Sequence, residues 1–230
     1  MEKFEDIFER AAHRKGGEKA LKALLSKPKT AKQLKQLSED EWLEEFSRKI
    51  FQSGFYWSVI NNKWPGFREV FWDFNVQKLL MMPPEMLEEK SADERIVRNY
   101  TKVKTIPVNA SMIHFHQQDH KESFVDFIAD YPTDDIIGLW AYLKKHGARL
   151  GGNTGPYALR ALGKDTFLLS RDVEAYLRGH NIIDGGIQSK KSLTAIQKFF
   201  NEMQQQSGRS LQEISQTISF SVGDNVVGLT

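Results

Sequence analysis

The stretch that says most about this chain is Leu150-Gly-Gly-Asn-Thr-Gly-Pro-Tyr-Ala-Leu-Arg-Ala-Leu162, a glycine-rich turn that opens directly into a helix. Such a turn at a helix N-terminus exposes backbone N–H groups in a partly positive field, which suits a phosphate. The residues predicted to bind the phosphate are Gly151, Gly152, Asn153, Thr154, Gly155 and Tyr157. The basic side chains of Arg160, Lys164 and Arg171 could add contacts, although each such residue alone is more often simply solvated.

One carboxylate, Asp172, follows Gly155 by seventeen residues, within Ser170-Arg171-Asp172 at the start of another predicted helix. A single carboxylate near a bound polyanion suits a reaction that develops positive charge on a sugar. The alternative is an ordinary first-turn acid, which the helix dipole favours.

Composition limits the class of protein. The chain has 230 residues, 40% of them hydrophobic and 11% aromatic, with no cysteine. This excludes disulfides, cysteine-ligated zinc and iron–sulfur clusters, and fits a reducing compartment. No apolar run reaches the roughly 18 residues of a membrane span, and the acidic start Met1-Glu-Lys-Phe-Glu-Asp6 is unlike a signal peptide. We therefore expect a cytoplasmic protein without membrane association, nucleoid-associated if the source is bacterial.

Positive charge is concentrated near the N-terminus. The net charge is only +2, yet residues 10–35 contain nine Lys or Arg and a single acid, Glu18. The pattern predicts a basic arm over residues 1–30 that could lie along phosphates. A solvated helix face followed by a flexible linker explains the same charges equally well.

The rest of the chain has helical periodicity almost throughout, which predicts an all-α fold. Possible capping boxes pair Thr30 with Gln33, Ser38 with Glu41, Ser91 with Glu94 and Ser210 with Glu213. Helices are expected from Glu39, around 67–74, around 96–103 with Pro107 kinking or ending it, at 136–146 before Gly147, and at 156–162, 171–178, 191–206 and 210–219. Loops are expected at Pro83-Pro84 and at 116–120, and the histidines show no metal-binding spacing.

The quoted turn resembles the hairpin of the helix–hairpin–helix DNA glycosylase superfamily, Leu-Pro-Gly-Val-Gly-Pro-x-Thr-Ala. Here the turn is one residue longer and Gly151 replaces proline. The resemblance implies that the hairpin amides hold a DNA phosphate, often through a monovalent cation. It also implies that Asp172, at the superfamily's spacing, is the catalytic group.

Four further segments, in one consistent order over roughly residues 45–165, resemble 3-methyladenine DNA glycosylase I. They are Phe51-Gln-Ser-Gly-Phe-Tyr-Trp-Ser-Val-Ile60, Phe67-Arg-Glu-Val-Phe-Trp-Asp-Phe-Asn-Val76, Ile96-Val-Arg-Asn-Tyr-Thr-Lys-Val103 and Leu143-Lys-Lys-His-Gly147. The resemblance implies a two-lobed helical domain over residues 31–221, with a base pocket between the lobes and a tail at 222–230.

In this family resemblance, Trp57 would stack on an extruded base, with Phe55, Tyr56, Trp64 and Gln52 as neighbours. A cationic alkylated ring is attracted to an indole face. The alternative for these aromatic residues is a core position, which we favour for Phe55.

The chain departs from the family at three points. Lys49 stands where the family has its base-reading glutamate, and the cysteine-containing zinc site has no counterpart. Asp172 is present, whereas the family usually lacks it.

The resemblance therefore implies a monofunctional DNA glycosylase acting as a monomer on double-stranded DNA with a damaged base, most simply an alkylated purine such as 3-methyladenine. No cofactor is expected apart from a monovalent cation at the hairpin. Pro156-Tyr157-Ala158 lacks the lysine with which bifunctional members cut the backbone. Two alternatives stay open: a non-catalytic, damage- or structure-recognising DNA-binding protein, and a glycosylase for a deaminated or oxidised base, which Lys49 motivates.

Overall fold

The computed structural model describes residues 2–222, and all regular structure in that range is helical, which confirms the all-α prediction. The α-helices are α1 (Phe4–Arg14), α2 (Glu18–Leu24), α3 (Ala31–Leu34), α4 (Glu39–Gln52), α5 (Trp57–Val70), α6 (Val76–Leu80), α7 (Pro84–Ser91), α8 (Tyr100–Val103), α9 (Thr105–His120), α10 (Phe124–Asp130), α11 (Ile136–His146), α12 (Thr154–Leu162), α13 (Arg171–Gly179), α14 (Lys190–Ser207) and α15 (Leu211–Ser221). Short 3-10 turns lie at Trp72–Phe74 and Thr133–Asp135. Beyond Val222, the predicted tail lies outside the described residues.

The chain divides into two compact units. A terminal unit comprises the described parts of Met1–Lys29, Pro132–Ile137 and Asp165–Thr230, and a central unit comprises Thr30–Tyr131 and Gly138–Lys164. None of the described helices is long and apolar enough to cross a membrane.

The predicted basic arm is instead two helices of the terminal unit. Phe4, Ile7, Phe8 and Ala11 form a buried face of α1, which packs against α15. The Phe4 N–H also donates to Gln206 Oε1 at 2.9 Å. The first part of the predicted arm is therefore helical and packed through an apolar face with helical spacing, as in the alternative of a helix face. Its contact with phosphates stays a prediction.

The central unit is organised around α4. A capping box between Ser38 and Glu41 starts this helix at Glu39, as predicted, and Trp42, Phe46 and Ile50 are buried along it. The helix ends at Gln52 rather than continuing toward Val59. The break follows from Gly54, whose φ of 88° lies in a left-handed region that favours glycine.

A buried lysine fixes this break. Lys102, on α8, donates to the carbonyl oxygens of Ile50 at 2.7 Å and Phe51 at 3.3 Å, and to that of Ser53. The carbonyls of Ile50 and Phe51 belong to the last turn of α4, and Ser53 is the C-cap. Carbonyls at a helix C-terminus have no intrahelical donor. Burial lowers the pKa of Lys102, with Arg149 adding a smaller electrostatic effect in the same direction.

Helix α11 ends at His146, directly before Gly147, as the sequence predicts. Glycine is needed at 147 because a Cβ there would lie 2.6 Å from Leu150 Cδ1 and 2.8 Å from the Leu143 carbonyl oxygen. The loop that follows is held by buried Asn109 of α9. Its Oδ1 accepts from the Ala148 N–H at 2.7 Å, and its Nδ2 donates to the Ala148 carbonyl at 3.2 Å. The hairpin between α11 and α12 therefore has a fixed entry.

Several local predictions are wrong in instructive ways. Pro83 is outside a helix as predicted, but Pro84 begins α7. Helix α8 ends at Val103, before Pro107 as predicted, but Pro107 is itself the third residue of the next helix, α9. Proline is tolerated in a first turn, whose N–H groups have no intrahelical acceptor. Ser91 ends α7, where its hydroxyl donates to the Glu88 carbonyl at 2.7 Å, and does not cap a new helix. The capping boxes at Thr30 and Ser210 are confirmed, as are helices α12 to α15.

The segment 116–120, predicted as a loop, is the end of α9. His116 is 2% exposed and shares a 2.7 Å hydrogen bond with the Tyr142 hydroxyl. Its ring also lies edge-on to Phe124. The polar sequence of this segment concealed a histidine that belongs to the core of the central unit.

Candidate functional site

A cavity of about 260 Å³ opens in the central unit between the α4–α5 turn and the glycine-rich hairpin. Its lining residues are Lys49, Gln52, Ser53 and Trp57 from the first element and Asn153, Thr154 and Tyr157 from the second. Small-molecule pockets span roughly 300–1,000 Å³, so this cavity suits a compact ring system. Residues predicted separately as base-binding and phosphate-binding thus line one cavity.

On the α4–α5 side, the central feature is Trp57, the first residue of α5, which is 53% exposed. The Lys49 ammonium lies 5.4 Å from the centre of its indole ring. Lys49 is paired with Glu45, one helical turn earlier, at 3.2 Å and donates to Gln52 Oε1 at 3.0 Å. Gln52 Nε2 in turn donates to Asn61 Oδ1 at 3.1 Å, so this wall is a fixed chain of polar contacts.

The hairpin side is shaped by its glycines. Gly152 has φ +62° at the exposed tip of the turn. At Gly155 a Cβ would lie 2.6 Å from the Leu150 carbonyl oxygen, so only glycine lets the start of α12 approach the preceding turn. The Gly155 N–H donates to that carbonyl at 3.1 Å. This amide is therefore engaged within the turn, contrary to its predicted role as a phosphate donor.

Three predicted pocket aromatics do not line this cavity. Trp64 is 4% exposed, donates from Nε1 to Glu44 at 2.8 Å, and stacks on Phe67 and Phe74 with ring centres 4.9 and 5.4 Å away. It is a core residue, and its pocket assignment is wrong because its ring is packed in the interior and its N–H already has an acceptor. Phe55 and the largely exposed Tyr56 line a separate concavity together with Gly54 and Val59.

Among the basic candidates, Lys164 is 3% exposed and donates to the carbonyl oxygens of Ala129 at 3.1 Å and Tyr131 at 2.6 Å. Its ammonium is part of the central unit's interior, so the predicted phosphate contact is wrong. Arg160 is half-buried on α12, and Arg171 is exposed at the start of α13.

Asp172 belongs to the terminal unit, where it is the second residue of α13. The helix is capped by Ser170, whose hydroxyl accepts from the Val173 N–H at 3.3 Å. Asp172 is half-buried and accepts a 3.3 Å hydrogen bond from the Ser219 hydroxyl. Its catalytic role stays a prediction.

Sequence reasoning missed the residues that hold the cavity in shape. Glu45 is four residues before Lys49 on α4, a spacing that signals a same-face ion pair and could have been noticed. Lys102 lies within the quoted segment 96–103, but nothing local indicates that it caps α4. In residues 2–222 no group of three or more His, Cys, Asp or Glu side chains could hold a metal ion.

The chain is similar to one protein family and to two solved structures. The sequence model of the methyladenine glycosylase family matches residues 32–159. A crystal structure of 3-methyladenine DNA glycosylase I is 23% identical over 64% of this chain and 87% of that chain, with a TM-score of 0.47. No curated protein matches the sequence.

A second solved structure extends over more of the chain. It is a Methanocaldococcus jannaschii 8-oxoguanine glycosylase/lyase in complex with 15mer DNA containing 8-oxoguanine. It is 17% identical over 93% of this chain and 95% of that chain, with a TM-score of 0.53. This likeness shows that the chain shares the helical fold of that glycosylase/lyase.

Proposed function

The chain belongs to the methyladenine glycosylase family, and from this premise we propose that it is a monofunctional DNA glycosylase of base excision repair. It would act as a monomer on double-stranded DNA and hydrolyse the N-glycosidic bond of a flipped-out damaged base. The family resemblance suggests an alkylated purine such as 3-methyladenine as the substrate. Lys49 in the cavity wall favours a second candidate, a neutral damaged base.

One observation carries the proposal: Trp57 and the glycine-rich hairpin line the same cavity. An exposed indole provides a stacking surface for an unstacked base, which is worth about 1–3 kcal/mol. The N-terminus of a helix that begins with small residues can bind the adjoining phosphate through its backbone N–H groups. When a nucleotide is turned out of the duplex, the protein must bind both the base and the phosphate of that nucleotide. Flipping costs a few kcal/mol, and these contacts offset that cost.

The proposed reaction is the addition of water across the base–sugar bond. The bond between C1′ and the base nitrogen breaks, the base leaves with the electron pair, and the sugar passes through an oxocarbenium-like state. A cationic base leaves as a neutral molecule, whereas a neutral base leaves as an anion that takes up a proton from solvent. A water oxygen then bonds to C1′ and loses a proton. Asp172 is proposed to stabilise the positive sugar and to accept that proton. The absence of lysine in Pro156-Tyr157-Ala158 supports hydrolysis rather than backbone cleavage through an amine.

The test is base release from duplexes that each carry one alkylated, deaminated or oxidised base, with wild type and Asp172→Asn. We expect release to fall about 100-fold or more in the variant, since one stabilising group at a developing charge is worth 10²–10³-fold. DNA affinity should be unchanged or higher, because a negative charge is removed.

The matched control is Glu174→Gln, which neutralises a carboxylate in the same turn of α13 that instead pairs with Arg178 at 2.7 Å. It should retain wild-type release. If wild type releases no base but binds damaged duplexes, and Asp172→Asn binds as well or better, the protein is a non-catalytic DNA-binding member of the fold.

A further inference from the structure

The cavity presents an uncommitted cationic donor. A lysine ammonium has three N–H groups. At Lys49 one faces the Glu45 carboxylate at 3.2 Å and one is donated to Gln52 Oε1 at 3.0 Å. Among the contacts within residues 2–222, this leaves one N–H of a cavity-lining ammonium for a ligand.

The neighbouring acceptor groups are already in use. Gln52 Oε1 accepts from Lys49, and Gln52 Nε2 donates to Asn61, so this amide is fixed with its oxygen turned to the ammonium. Glu45 is 9% exposed and does not line the cavity. A ligand in the cavity therefore meets the Lys49 side chain and not the carboxylate that is paired with it. Lys49 thus gives this wall a cationic donor.

The charge also acts through the aromatic face. Lys49 Nζ lies 5.4 Å from the Trp57 ring centre, within the range of a cation–π interaction. A second cation stacked on that indole would share the same ring electrons and repel the ammonium. A neutral ring with an outward carbonyl oxygen would instead stack on Trp57 and accept the free N–H.

We propose that Lys49 makes this cavity selective for a neutral damaged base that presents a carbonyl oxygen, such as a deaminated or oxidised purine, over a cationic alkylated purine. This inference rests on the proposed glycosylase function and narrows its substrate class. Charge-assisted hydrogen bonds of this kind change affinity by about tenfold to a hundredfold.

The experiment measures single-turnover release from duplexes with one hypoxanthine, 8-oxoguanine, 3-methyladenine or 1,N6-ethenoadenine, after subtracting the enzyme-free rate. Hypoxanthine and 8-oxoguanine are neutral and carry carbonyls, 3-methyladenine is cationic in DNA, and ethenoadenine is neutral without a carbonyl. We expect wild type to release at least one carbonyl base about tenfold or more faster than the other two classes.

Lys49→Met should lower release of the carbonyl base by about tenfold or more and leave 3-methyladenine release unchanged or faster. Lys49→Gln, which keeps a neutral donor, should lie between. The control is Lys78→Met, the same change at an exposed lysine of α6 outside the cavity, and it should match wild type. Preferred release of 3-methyladenine by wild type, or an equal effect of Lys49→Met on every base, would overturn the inference.

Failure of the proposed function gives a different result. If wild type releases no base from any duplex, catalysis is absent. The role of Lys49 is then tested by binding alone, with duplexes that contain a 2′-fluorinated nucleotide of hypoxanthine or of ethenoadenine. Tighter binding of the hypoxanthine duplex that is lost in Lys49→Met supports selection of a carbonyl base. Equal binding of the two duplexes by wild type contradicts it.

Discussion

Two tryptophans on α5 show how one chemical pattern serves two purposes. Trp57 and Trp64 are seven residues apart, which places them on the same face of the helix. Each indole has a cationic residue of α4 over it: Lys49 at 5.4 Å from Trp57 and Arg48 at 4.9 Å from Trp64. Each cation is paired with a glutamate four residues earlier, Lys49 with Glu45 at 3.2 Å and Arg48 with Glu44 at 3.0 Å.

The two tryptophans differ in how far the protein covers the indole ring. Trp64 is 4% exposed, donates its N–H to Glu44, and is stacked against two phenylalanines. Trp57 is 53% exposed and lines the cavity. Residue type and neighbours alone would assign both to one role. What separates a structural indole from one that can take a ligand is whether protein already covers its ring.

The largest expected effect comes from removing the closed indole. Trp64→Ala deletes a fully packed side chain and leaves Glu44 without its indole donor, so we expect the free energy of unfolding to fall by about 3–5 kcal/mol. Urea unfolding followed by circular dichroism measures this. A loss under about 1 kcal/mol would show that Trp64 is not packed as described and would end the contrast with Trp57.

The dependence of protein stability on acid also tests the buried interior of the central unit, because this interior contains the imidazole of His116. Burial, with a smaller contribution from His120, lowers the pKa of His116 to about 4 from 6.5. The unfolded chain therefore binds a proton before the folded protein does. The stability that neutral His116 provides is complete above about pH 6.5 and is lost as the pH falls toward 4.

We expect His116 to lower the free energy of unfolding by about 2 kcal/mol when the pH falls from 7 to 4.5. The measurement compares urea unfolding of wild type and His116→Gln at both pH values, since the variant should lack this part of the acid dependence. His114→Gln, on the same helix, controls for the loss of a histidine. Equal acid dependence in wild type and His116→Gln would remove His116 as the cause.

A feature of this protein could be predicted from the sequence when the interactions that form it join residues close together along the chain. The hairpin and the start of α4 were predictable because their signals, glycine conformation and a capping box, act within a few residues. The resemblance to 3-methyladenine DNA glycosylase I predicts Lys49, Gln52 and Trp57 as base-pocket residues, and all three line the cavity.

The closure of Trp64 was not predictable. It depends on Phe74, which follows Trp72 and Asp73, all three with positive φ, and is thereby turned back onto the indole. Non-glycine residues adopt that conformation only rarely, so composition gives no warning of it. Lys102 and Lys164 reach backbone carbonyls about 50 and 35 residues away along the chain, and such contacts leave no local pattern.

The smallest expected effect on stability, and the most informative one, belongs to the open indole. Trp57→Ala should change the free energy of unfolding by less than about 1 kcal/mol, because about half of the residue is already in water. The same change should lower affinity for a damaged duplex about tenfold to a hundredfold, since stacking on an aromatic ring is worth about 1–3 kcal/mol per base. Paired urea-unfolding and DNA-binding measurements on one variant check both halves, with Trp57→Phe as the control that keeps a stacking face. Loss of Trp57 would then lower mainly DNA affinity, whereas loss of Trp64 would lower mainly the free energy of unfolding. A Trp57→Ala protein that loses stability but keeps wild-type affinity would place both indoles in the same structural role and remove the main support for a base-binding cavity.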